Sequence, residues 1–133
     1  MEHIKFFKLQ AKNFLRDYSN RELKEDGIYR HNNPKFFQDI DDIIVSYDID
    51  EYGKFTLMNA QHIIALLSGF HNWTDLIHAN KAQLELGRLL LEHRNHNDVF
   101  PFIEDWKMYL ESNNLSNFDD ETKLEIFKIV FLS

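Results

Sequence analysis

The chain has 133 residues, no cysteine and a formal net charge of -7, from 15 basic and 22 acidic side chains. This length fits one domain, 1–133, with a modest core. The composition excludes disulfides and thiolate chemistry and disfavours a nucleic-acid contact driven by bulk charge, which needs a concentrated positive face. No apolar run approaches the roughly 20 residues of a membrane span. The first residues, MEHIKFFKLQAKNF, lack the apolar core of a signal peptide, so a cytoplasmic location without membrane contact is expected.

In chain order, Ile4, Phe7, Ala11, Phe14, Leu15 and Tyr18 mark one face of a first helix. Lys5, Lys8, Lys12 and Arg16 form the most basic stripe of the protein, either a solvated helix face or a patch for an acidic partner. Residues 19–33 are polar and read as a connection. Asn33 is placed as an N-cap with Pro34 at the first helical position. Phe36, Phe37, Ile40, Ile43, Ile44 and Tyr47 then give the apolar side of a second helix.

The segment 48–59, DIDEYGKFTLMN, has Asp48, Asp50, Gly53 and Phe55 at the spacing of a calcium loop. Tyr52 and Asn59 replace two of its oxygen ligands, so an acidic turn is the better reading. A third helix is predicted from Leu57 to Ser68, with Leu57, Ala60, Ile63, Ile64 and Leu67 inward. Gly69 is expected at the left-handed position after it, with Phe70 folding back on the helix end. Asn72, three residues before Asp75, caps a fourth helix running from Trp73 to Glu92. Phe100, Ile103, Trp106 or Lys107, and Leu110 define a fifth. Asp119 caps a last one through Leu124, Ile126, Phe127, Val130 and Phe131. The expected fold is all-α: a compact orthogonal bundle of five to six helices with a central corner like a helix-turn-helix.

No catalytic, cofactor-binding or metal-ligating set emerges. The histidines at 62, 71, 78, 93 and 96 are not spaced to converge on a metal, and no cysteine assists them. The serines lack a nucleophile elbow or triad. Only His62, His71 and Asp75 suggest a polar pocket. As a DNA-reading corner, the fourth helix offers Thr74, Asp75, His78 and Lys81, a poor set for phosphate contact.

The run AQHIIALLSGFHNWTDLIHA resembles a small helical module of uncharacterised bacterial proteins that carries a glyoxalase-related label. The matching positions are Ala60, Ala65, Gly69, Phe70, Trp73 and Leu76. The resemblance covers about 25 residues. It implies an architectural role for Gly69, Phe70, Trp73 and Leu76, and no glyoxalase activity, which in the enzyme family rests on a βαβββ metal scaffold. The expected function is a small non-enzymatic interaction or regulatory module with a protein partner or a second copy. Lys5, Lys8, Lys12, Arg16, Phe127 and Phe131 are its candidate contact residues. The alternatives are an antitoxin-like or transcriptional regulator reading DNA with 57–68 and 73–92, and a small enzyme with a histidine-lined pocket.

Overall fold

The computed structural model describes residues 2–20, 22–23, 29–30, 34–49, 54–94 and 102–132. Among them are seven helices: α1 (Glu2–Ser19), α2 (Ile40–Ser46), α3 (Leu57–Leu67), α4 (Trp73–Ile77), α5 (Lys81–Glu92), α6 (Phe102–Ser112) and α7 (Asp120–Phe131). Two-residue strands, β1 (Glu22–Leu23) and β2 (Tyr29–Arg30), pair antiparallel. The fold is all-α, with one helix more than the upper expectation. The chain divides into two compact units, 5–64 and 65–133 with 1–4.

In the unit 5–64, the α1 stripe is inward as its spacing predicts: Phe7, Ala11, Phe14 and Tyr18 are buried. Phe14 meets Phe37 edge-on at 5.2 Å between ring centroids, and Tyr18 lies 4.4 Å from Phe55. Ile40, Ile43 and Ile44 supply the buried side of α2.

The second helix starts later than predicted. Asn33 lies outside the described residues, and the helix begins at Ile40 rather than Pro34. The reason is a buried carboxylate. Asp17 of α1 is only 2% exposed and accepts three backbone amides: Phe37 N at 2.7 Å, Phe36 N at 2.8 Å and Lys35 N at 3.1 Å. Backbone donors must be satisfied somewhere. Here they converge on one anion instead of entering a helix, and such charge-assisted bonds are the strong class.

In the unit 65–133, α3 ends as its glycine predicts. Gly69 has φ +91°. Its amide donates to the Leu66 carbonyl at 3.1 Å, and the Phe70 amide donates to the Ala65 carbonyl at 2.9 Å. These two bonds are the paired closure of a left-handed helix end. The same device recurs after α6. There Asn114 has φ +57°, and the Leu115 amide donates to the Leu110 carbonyl at 2.9 Å. Asparagine tolerates this backbone better than most side chains.

The predicted fourth helix is two helices. Asn72 caps α4 by accepting the Asp75 amide at 2.7 Å, as expected, but α4 stops at Ile77. Asn80 then opens α5 with a complete capping box. Its side chain accepts Gln83 N at 2.8 Å, while the Gln83 side chain accepts Asn80 N at 3.0 Å. Asn80 therefore interrupts the apolar stripe because it is a start signal.

The core of this unit joins Leu90, Ile103, Trp106 and Phe127. Trp106 meets Phe127 edge-on at 5.1 Å and Phe131 at 5.7 Å. Across the surface, Lys128 Nζ of α7 lies 2.8 Å from Glu85 Oε2 of α5.

Candidate functional site

Two features of the described surface have the makings of a site. The first is an open cleft of about 510 Å³ in the unit 65–133. The helix end at Ser68–His71 contributes Phe70 and His71; α4 and its end contribute Asp75 and His78. Leu86, Gly87 and Leu90 of α5 join Ile103, Trp106 and Leu110 of α6 in the lining. Lys107 of α6 and Lys123 and Asp120 of α7 complete it. Its size lies within the ~300–1,000 Å³ range of small-molecule pockets, and its make-up, apolar side chains with a few polar groups, is typical of them.

Local packing shapes the cleft. A side chain at Gly87 would put its first carbon 2.8 Å from the Phe70 ring and 3.0 Å from the Ser68 carbonyl oxygen. The missing side chain lets the Phe70 ring lie against α5. Ser68 is buried, and its hydroxyl oxygen has no hydrogen-bond partner among the described residues.

The polar groups have defined states. His78 Nδ1 lies 2.9 Å from the Thr74 carbonyl oxygen. A carbonyl only accepts, so Nδ1 carries the proton and, in the neutral ring, Nε2 is left as an acceptor. Asp120 accepts a hydrogen bond from Asn80 Nδ2 at 2.8 Å. Lys107 lies 3.9 Å from Glu104, with both side chains more than half exposed, so that pair holds it weakly.

His71 and Asp75 thus stand in one cleft, as the pocket reading expected, while His62 on α3 does not line it. His78 also lines the cleft, although its spacing in sequence pointed only to the metal and DNA readings. Among the described residues, no three histidine or acidic side chains are grouped to hold a metal ion. In the calcium-like segment, residues 50–53 lie outside the described residues. Asn59 at its last position is committed to the start of α3, where its side-chain oxygen accepts the Thr56 amide at 2.8 Å and hydroxyl at 2.9 Å.

No protein-family model, curated protein or solved structure matches this chain.

The second feature is the outer face of α1. Lys5, Lys8, Lys12 and Arg16 are all exposed, and Leu9 among them is 54% exposed. Helical spacing puts residues 5, 9, 12 and 16 in one row with Lys8 beside it. Between 5 and 16 the helix has no acidic residue. The nearest carboxylate in sequence, Asp17, is buried and occupied by three amides.

The candidate contacts on α7 need correction. Phe127 is fully buried against Trp106, and Phe131 is half-buried in the same aromatic cluster. They belong to the core because residues 127 and 131 share the face that α7 turns to α5 and α6; the outward apolar residues are Ile129 and Val130. Of the four architectural positions, Leu76 is fully buried and Gly69 has its left-handed backbone, while Phe70 and Trp73 are only half-buried.

The DNA reading assumed a continuous helix over 73–92. In its place stand the five-residue α4 and the separately capped α5. Across the described residues, no helix is long and apolar enough to cross a membrane.

Proposed function

We propose that this protein is a non-enzymatic interaction module that docks an acidic protein surface on the outer face of α1. The observation that carries the reading is the row of Lys5, Lys8, Lys12 and Arg16 around exposed Leu9, in a chain whose net charge is -7. A basic face on an acidic protein attracts an acidic surface locally, while the negative charge elsewhere on the chain repels it, so the encounter is oriented onto that face. Leu9 adds apolar area at the middle of that face, where a contact gains most from excluding water.

The test compares two baits in the native lysate: the wild-type chain and a Lys8→Glu, Lys12→Glu variant of equal thermal stability. The reading predicts a stoichiometric acidic protein on the wild type, released by moderate salt and absent from the charge-reversed bait. Salt acts because the Debye length falls to about 3 Å at 1 M. A partner held equally by both baits would refute the role of α1. Recovery of nucleic acid in place of protein would move the reading to a DNA-binding regulator.

A further inference from the structure

The cleft in the unit 65–133 is lined by side chains of both charges, which the α1 reading does not use. Two of its acceptors come from α4 and its end: the Asp75 carboxylate and, three residues later, His78, whose Nδ1 is engaged by the Thr74 carbonyl. Residues three apart share a helix face. Its cations come from other elements, Lys107 from α6 and Lys123 from α7. Lys123 meets no carboxylate within ion-pair distance among the described residues. A second acid, Asp120, stands one turn before Lys123 on α7, and the Asn80 amide that donates to it ties its carboxylate toward the start of α5. Trp106 and the α5 leucines supply the apolar lining.

A purely apolar ligand would leave these charged groups unused, and a simple anion would meet Asp75. A simple cation would meet the lysines. The set is complementary to a molecule that carries both charges on an apolar body. We propose that the cleft binds a small zwitterion with an aromatic body. Its ammonium group lies at Asp75 and His78, its anionic group at Lys107 and Lys123, and its body against Trp106.

Calorimetry on the full chain tests this with three probes: L-tryptophan, tryptamine, which lacks the carboxylate, and indole-3-propionate, which lacks the amine. L-tryptophan should bind about fivefold more tightly than either comparator, the scale of one partly exposed charge-assisted contact. Lys123→Ala should weaken L-tryptophan and indole-3-propionate while leaving tryptamine unchanged. Asp75→Asn should weaken L-tryptophan and tryptamine while leaving indole-3-propionate unchanged. Asp75 is exposed and Lys123 half-buried, and matched thermal unfolding shows that the variants fold. No heat from L-tryptophan up to about 10 mM would overturn the proposal, since that corresponds to a binding free energy weaker than about -3 kcal/mol. Equal binding of all three probes, or binding indifferent to both substitutions, would overturn it as well.

Discussion

Replacing Asp17 with alanine should destabilise the unit 5–64 by about 3 kcal/mol, and the sum can be followed bond by bond. The carboxylate accepts three amides at 2.7–3.1 Å while only 2% exposed. Its loss strands the amide of Phe37, which is buried, at about 1–3 kcal/mol. Lys35 and Phe36 are exposed residues, so water can reach their amides and each loss falls to roughly 1 kcal/mol. Against this stands the relief of no longer burying a charge, which offsets part of the total. Asp17→Asn keeps the shape: with its oxygen in the place of Oδ2 it retains the Phe36 and Phe37 bonds and turns an NH2 group toward the Lys35 amide alone, so it should recover more than half of the loss. Urea unfolding followed by far-ultraviolet circular dichroism measures the total. Hydrogen exchange at the Phe37 amide measures the local part, and its protection should fall while that of Leu90 on α5 holds. A change below about 1 kcal/mol, the net worth of a single ordinary hydrogen bond, would refute the claim that this anion organises residues 35–37.

Gly87→Ala should destabilise the chain although alanine is the better helix former by about 1 kcal/mol, because overpacking costs about 1–3 kcal/mol and the Ser68 carbonyl cannot yield as a side chain can; a stabilised variant in a thermal melt would contradict the packing. Trp106→Ala should cost about 3–5 kcal/mol in urea unfolding, whereas Trp73→Ala, which removes a half-buried ring, should cost clearly less; equal losses would overturn that ranking. Glu85→Gln should lower stability at neutral pH. The hydrogen bond from Lys128 holds the Glu85 carboxyl below its ordinary 4.5, so its contribution is present above that value and lost as pH falls through the lowered one. The same contact raises Lys128 above its ordinary 10.5, so the contribution also fades as pH climbs through that raised value. Wild-type and variant melting curves should therefore converge in acid, and a gap unchanged at pH 2 would contradict the assignment.

The legible parts of this fold are those written in short range. Gly69 followed by Phe70, Asn72 before Asp75 and Asp119 before Thr122 each satisfy backbone groups within a few residues, and each works as its local pattern implies. The Asn80–Gln83 box is equally local, but an apolar stripe runs across it and hides it, because Trp73, Leu76 and Leu84 keep a helical period through the break. Asp17 was not legible, since its three partners lie 18 to 20 residues away and nothing in α1 itself marks that position as inward. The cleft is drawn from several elements, so only the pair His71 and Asp75, close in sequence, suggested it. Phe127 and Phe131 show the remaining limit: an apolar helix face reads the same whether it meets the chain's own core or a partner.

The contact between Gly87 and the Phe70 ring ties two positions into one unit of inheritance. In effect α5 borrows its side chain at 87 from the loop before α4. A descendant of this chain that gains a side chain at 87 must give way both at the ring of Phe70 and at the Ser68 carbonyl, so a change at 70 alone does not open the position. Glycine at 87 is thus held from two sides, by a ring that can be exchanged and by a backbone oxygen that cannot.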